Sequence, residues 1–213
     1  AKYLFFALKD FLLKNDKLKE NWNPLNLLSS NAATVGSLDL DIVDETNSLF
    51  EELNNNKFKL IYLLGRDDLN FKKKDEFIIY QGSHGDKGAE IADIILPGSA
   101  YTEQSGHFTN LEGKIQKAYK ASYPPGEAKE DWQIINDLAE LMNNRKLFND
   151  KDELESSMLN YLNLKKEKNK SVLTKEYDQS VFENENLIVN YKDYYFSNVI
   201  ARSSKTMNEC RNT

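Results

Sequence analysis

Five places in this 213-residue chain bring together residue types that could do chemistry. The first is Gly82-Ser83-His84-Gly85-Asp86-Lys87-Gly88, which follows an apolar run; a glycine-rich turn after a strand can cradle a phosphate with its backbone N–H groups. Its spacing, G-x-x-G-x-x-G, is neither the dinucleotide fingerprint nor the P-loop. Only four residues separate Gly88 from Asp93, too few for the long helix of a dinucleotide-binding unit. The better reading is a structural turn, its glycines supplying positive φ and Asp86 capping a short helical turn. Two histidines have acidic neighbours, His84 with Asp86 and His107 with Glu103, and such pairs can orient a base. No Ser or Cys nucleophile completes either pair, so a hydrogen-bonded loop histidine is the simpler reading. The single Cys210 lies beside Glu209 and Arg211 and reads as a partly exposed thiol without a catalytic partner. Finally, Asn110-Leu111-Glu112-Gly113-Lys114-Ile115-Gln116 could contact the phosphates or amides of a ligand, or equally pin a loop to its own backbone.

Composition limits what these groups can build. One Cys excludes an intramolecular disulfide, and one Cys with two His cannot by itself form an iron–sulfur or structural zinc site. With 40% hydrophobic and 29% charged residues the chain has the make-up of a globular domain, and its net charge of −6 argues against a general nucleic-acid surface. The longest apolar run, Tyr3 to Leu8, is far shorter than the ~20 residues a membrane helix requires, so no membrane span is expected. The first Met is Met142, so translation is expected to begin upstream of Ala1.

The elements that must position these residues can be traced along the chain. Leu4, Leu8, Phe11 and Leu12 predict an amphipathic core helix. A second helix is expected from Asn23-Pro24 to about Gly36, with Leu27, Leu28 and Ala32 inward, and a third from Asp44 to Leu53. Three short apolar runs follow, Phe58–Leu64, Phe77–Gly82 and Asp93–Leu96, each closed by Gly or Pro-Gly. They read as strands of a parallel sheet buried on both faces. Pro124-Pro125-Gly126 then precedes a helix with the stripe Trp132, Ile135, Leu138 and Met142, its start marked by Glu127, Glu130 and Asp131. Asp150 to Leu164 predicts another helix on Leu154, Met158 and Leu162, followed by a solvated charged run, Lys165 to Lys170. Asp193-Tyr194-Tyr195-Phe196 is too aromatic for a free end and is expected to dock. The fold class is α/β, with short parallel-type strands layered with helices and a helical C-terminal extension. The expected division is an α/β domain over 1–145 and a helical or irregular extension with a docking tail over 146–213.

The stretch from Phe77 to Glu103, with its continuation Phe108–Gln116 and Pro124–Trp132, closely resembles the large iron–sulfur subunits of respiratory complex I. The patterns A-D-x-x-L-P, T-N-x-E-G-K-x-Q and P-P-G-x-A-x-x-D-W are also similar to those of the wider molybdopterin oxidoreductase family. The Y-Q-G-x-H-G-D run and the tail Ile200 to Cys210 resemble the complex I branch specifically. Lys114 stands where the family commonly has Arg.

This resemblance implies a degenerate molybdopterin oxidoreductase-like domain that lacks the cofactor. It implies the C-terminal part of a large subunit, whether a split subunit or a fragment. No catalytic, cofactor-binding or metal residue is carried over to this chain. The iron–sulfur clusters are expected in the missing N-terminal part or a companion chain. The implied partners are that cluster-bearing part and other peripheral-arm subunits of NADH dehydrogenase, on the matrix side of the mitochondrial inner membrane. The implied role is to brace the NADH-oxidising arm in respiratory electron transport. Two other readings stand beside it: a fragment of an active molybdopterin oxidoreductase, and a free-standing α/β module binding a nucleotide at the glycine turn.

Overall fold

The computed structural model describes residues 2–17, 24, 28–29, 31–42, 49–67, 69, 72–168 and 193–212. Its element order is α1 (Lys2–Lys14), α2 (Thr34–Asp39), α3 (Leu49–Asn54), β1 (Leu60–Leu64), β2 (Phe77–Gly82), α4 (Lys87–Ile91), β3 (Ile94–Pro97), β4 (Gly106–Thr109) and β5 (Ile115–Ala118). Helices α5 (Asp131–Asn143), α6 (Lys151–Lys168), α7 (Val199–Ser203) and α8 (Lys205–Asn212) complete it. Two compact units divide the chain. One comprises Ala1–Asp41, Phe108–Gln116 and Ser157–Asn190; the other comprises Ile42–His107, Lys117–Ser156 and Tyr191–Thr213.

The larger unit is built on a parallel sheet of order β1-β2-β3, as the three apolar runs predict. Register places Leu60 opposite Phe77 and Leu64 opposite Gln81, then Ile79 opposite Ile94 and Gly82 opposite Pro97. Central β2 carries the core: Ile78, Tyr80 and Gln81 are fully enclosed, and Leu63 packs beside Ile78 and Tyr80. Burial on both faces does not extend to the outer strands, where Leu60, Leu64, Ile94 and Ile95 are exposed. Asp93 ties β3 to β2, accepting from Ile78 N at 2.8 Å and from Lys73 Nζ at 2.6 Å, contacts that hold its carboxyl below the usual range.

Helix α5 begins with a reciprocal cap: Glu130 accepts from the backbone of Gln133, and the Gln133 side chain accepts from Glu130 N. Its inward face differs from the expected stripe. Ile134 and Asn136 are buried, Trp132 and Leu138 are half-buried as the stripe requires, and Ile135 and Met142 are exposed. Asn136 fastens the following loop, donating to Phe148 O at 2.9 Å and accepting from Leu147 N and Phe148 N.

In the smaller unit, α1 forms where expected; of its stripe Leu12 is half-buried, but Leu4, Leu8 and Phe11 are exposed, so among the described residues it does not pack as a core helix. The helix expected from Asn23 is not formed at Leu28, Ser29 or Ala32, and Leu28 is 85% exposed; a turn leads instead into the short α2. Leu27 and residues 43–48 of the third expected helix lie outside the described residues. The α6 stripe is as expected, with Leu162 buried and Leu154 and Met158 half-buried. Lys165 is not simply solvated, because its ammonium donates to Leu38 O, Asp39 O and Asp41 Oδ1 at the end of α2. Among the described residues no helix is long and apolar enough to cross a membrane.

Candidate functional site: a glycine turn folded around a tyrosine

The glycine turn follows β2, and its shape is set by the strand residue two places before it ends. Residues i and i+2 of a strand share a face, so the Tyr80 ring leans over Gly82. A Cβ on Gly82 would lie 2.3 Å from the Tyr80 hydroxyl oxygen, and one on Gly88 would lie 2.9 Å from Tyr80 Cδ2 and 2.8 Å from Arg66 O. The glycines therefore make room for a ring. None of Gly82, Gly85 and Gly88 has positive φ, which corrects the expected reason for their presence; among the described glycines that conformation occurs at Gly65, Gly113 and Gly126. The Tyr80 hydroxyl donates to His84 O at 2.7 Å, closing the turn. Burial first, with the negative charges of Asp67 and Asp86 adding to it, pushes this hydroxyl up to about 12.

The amides at the end of the turn are spent internally. Lys87 N donates to Asp86 Oδ1, so Asp86 caps α4 as expected, while Glu90 N donates to Asp86 O and Gly88 N to Asp67 O. With its hollow filled by the Tyr80 ring, the turn does not fit the phosphates of a nucleotide or a pterin cofactor. Iron–sulfur clusters fit no better, since they require sets of thiolates and Cys210 is alone and exposed. Among the described residues no group of three or more His, Cys, Asp or Glu is placed to hold a metal.

Neither histidine pair is assembled. Ser83 Oγ lies 3.0 Å from His84 Nδ1, while the Asp86 carboxylate turns to Lys87 N and Arg202. Glu103 turns back to accept from Ala100 N at 2.9 Å instead of orienting His107. The Asn110 segment resolves to the second of its two readings: Asn110 Oδ1 accepts from Glu112 N and Lys114 N, and Gly113 N donates to Asn110 O. It is the turn between β4 and β5, a strand pair that no sequence pattern announces. Lys114 stands beside it.

Two constellations have no counterpart among the sequence expectations. In the first, Arg202 of α7 reaches across to the glycine turn: Nε donates to Asp86 Oδ2 at 2.8 Å, and a terminal nitrogen donates to Asp67 Oδ2 at 2.7 Å. Asp67 is buried, and its carboxylate gains there the positive partner that a buried charge needs. Burial works against the guanidinium charge, but the two carboxylates outweigh it and raise its proton affinity further. The tail is thus held by an arginine, whereas Tyr194 of the aromatic run expected to dock is exposed. Arg211 adds to the fold-back by bonding Asp193 and lying over the Phe196 ring. The available signal is that Asp86 and Arg202 occur in the two stretches resembling the complex I branch.

The second constellation joins β1, β2 and α5. The Tyr62 hydroxyl donates to Gln81 Oε1, Gln81 Nε2 donates to Asp131 Oδ1 at 2.7 Å, and Gln104 Nε2 donates to Asp131 Oδ2 at 2.9 Å. Beside it, Glu130 accepts from Lys151, Lys120 and Trp132 Nε1. Burial pushes the Glu130 carboxyl up, but the Lys151 and Lys120 hydrogen bonds prevail and hold it low. Each of these side chains has a partner, which is the signature of structural fastening.

Comparison with known proteins adds to this geometry. The family model for molybdopterin oxidoreductase matches residues 2–141. A second model, for the C-terminal region of the G-type subunit of NADH-ubiquinone oxidoreductase, matches residues 154–210. The chain is 39% identical over 209 residues to the NADH-ubiquinone oxidoreductase 75 kDa subunit of Reclinomonas americana, covering 93% of this chain and 30% of that protein. It is 38% identical over 230 residues to the NADH-ubiquinone oxidoreductase 78 kDa mitochondrial subunit of Candida albicans, covering 100% of this chain and 31% of that protein. A shorter match, 42% identical over 139 residues, is to the mitochondrial NADH dehydrogenase [ubiquinone] iron-sulfur protein 1 of Solanum tuberosum, covering 64% of this chain and 18% of that protein. The chain spans about 30% of the length of the first two relatives.

Proposed function

This chain belongs to the molybdopterin oxidoreductase family, and from that membership we propose that it is the structural C-terminal portion of the large iron–sulfur subunit of NADH:ubiquinone oxidoreductase. In this reading it performs no chemistry of its own. It braces the cluster-bearing part of the subunit within the peripheral arm, on the matrix side of the mitochondrial inner membrane, and the clusters lie in a companion segment. The α/β portion through residue 145 and the extension after it act as one support.

One observation carries the reading. Arg202 lies within 154–210, the span matched by the NADH-ubiquinone oxidoreductase C-terminal model, and binds Asp67 and Asp86, which lie within 2–141, the span matched by the molybdopterin oxidoreductase model. The two family signatures are thus fastened to each other by a two-pronged ion pair. A glycine turn filled by Tyr80 supports the view that the family's cofactor chemistry has given way to packing at this position. The test is elemental analysis of the assembly captured from native extract on this chain. Iron without molybdenum is the expected result. Stoichiometric molybdenum would favour an active molybdopterin oxidoreductase instead.

A further inference from the structure

In open α/β sheets, ligands bind outside the carboxyl ends of the parallel strands, in the crevice between the loops that leave them. In this sheet the loops after β1 and β2 meet there. Asp67 follows β1, Asp86 follows β2, and Gly88 N donates to Asp67 O at 3.3 Å. A Cβ on Gly88 would stand 2.8 Å from Arg66 O, so the two loops touch at backbone distance. Their two carboxylates make the junction acidic, and the chain's own Arg202 occupies it. Nε donates to Asp86 Oδ2 at 2.8 Å and a terminal nitrogen to Asp67 Oδ2 at 2.7 Å.

The segment that brings Arg202 to this junction lies in the same compact unit but outside its core. No residue of α7 or α8 is buried, and none joins the cluster of Leu63, Ile78 and Tyr80 or the apolar side chains packed around it. Local bonds order the segment. Asn198 Oδ1 accepts from Ala201 N at 2.9 Å, Ser204 Oγ accepts from Met207 N at 3.3 Å, and Arg211 pairs with Asp193 at 2.6 Å while lying over the Phe196 ring. A segment ordered locally, and fixed to its body by a charge pair without core burial, opens at lower free energy than the sheet it rests on.

We propose that residues 193–212 are a tethered ligand of their own sheet: a strap whose Arg202 guanidinium occupies a receptor formed by Asp67 and Asp86, and which lifts from it as a unit while the sheet stays folded. The receptor selects a guanidinium by geometry. Carboxylates from two loops are bridged by donors fixed in one plane, which the compact, point-like charge of an ammonium does not reproduce.

Amide-resolved hydrogen exchange on the free full chain reads strap, sheet and receptor separately and needs no assembly. The Arg202, Ser204 and Asn208 amides, bonded within the strap, should exchange about 100-fold or more faster than those of Gly65 and Asp93, bonded within the sheet. In Arg202→Ala the strap amides should approach unprotected rates while Gly65 and Asp93 stay protected. Ethylguanidinium at tens of millimolar should then slow the Lys87 and Gly88 amides, which donate to Asp86 and Asp67, by about threefold or more while the strap stays open; ethylammonium should not. Exchange of strap and sheet at one common rate in the wild-type chain overturns the inference. So does loss of Gly65 and Asp93 protection in Arg202→Ala, which would make the arginine part of the fold and not a catch. Equal slowing by ethylammonium, or none by ethylguanidinium, removes the receptor and overturns it as well.

Discussion

At Gly88 a Cβ would meet the Arg66 carbonyl oxygen at 2.8 Å and Tyr80 Cδ2 at 2.9 Å, whereas at Gly85 the nearest contact is an ordinary 3.6 Å to Ala89 Cβ. A turn used for anion binding would be sensitive at its open, ligand-facing glycine; one used for packing is sensitive where the ring sits. Gly88→Ala should therefore cost about 1–3 kcal/mol in chemical denaturation, because backbone and ring must both shift, while Gly85→Ala should stay within about 0.5 kcal/mol. Tyr80 supplies a second signature. Its hydroxyl is raised from an ordinary 10.0 to about 12, so the neutral phenol's contribution is complete below pH 10 and is lost as pH rises toward 12. Tyr80→Phe should flatten that alkaline fall while costing about 1 kcal/mol at neutral pH through the lost bond to His84 O. Melts from pH 8 to about 12 would check both halves of this prediction.

Between elements, the informative contacts are ion pairs that close long loops. Arg202→Met would leave Asp67 buried and unpaired, at a cost of about 2–3 kcal/mol. Exchange of residues 193–212 should accelerate before that of the sheet. Unchanged protection of that segment would contradict the clasp. Arg202→Lys should not rescue it, since one ammonium cannot present the two-pronged donor that spans Asp67 and Asp86. Glu130 joins the start of α5 to Lys151 of α6, and its carboxyl lies below its ordinary 4.5. Its contribution is therefore full above pH 4.5 and is lost as pH falls below that. Glu130→Gln should cost about 1–2 kcal/mol at pH 7, where the pair is intermediate between surface and buried. The gap from wild type should close in acid, which thermal melts at descending pH would record.

These same elements mark what was legible in the sequence. Continuous apolar runs closed by Gly or Pro-Gly make β1, β2 and β3 legible, although only central β2 has the burial such a run implies. The α6 stripe was legible because its spacing and its burial coincide. The α5 stripe is legible only in part: Trp132 and Leu138 are half-buried as its spacing requires, but a polar residue, Asn136, takes an inward position by satisfying three bonds, and Ile135 and Met142 are exposed. The β4–β5 pair was missed because four-residue strands mixing His, Thr, Gln and Lys carry no clear alternation. The clasp was invisible because its partners are separated by 116 and 135 residues, a distance over which no local pattern operates.

For the whole molecule, the filled glycine turn, the partnered polar networks and the exposed apolar outer strands are consistent with the supporting role proposed above. In the proposed reading, electron transfer belongs to a companion segment. Truncation from Asp193 onward removes Arg202 and should impair assembly before it alters any chemistry, read as loss of capture with intact activity in whatever assembly remains. The most direct measurement is native electrophoresis of extract containing the tagged full chain, stained for NADH dehydrogenase activity and probed for the tag. The account predicts that the chain co-migrates with the active band, far above its own 24.6 kDa. Migration of the chain exclusively as a free protein of about that mass, away from all NADH-oxidising activity, would contradict it.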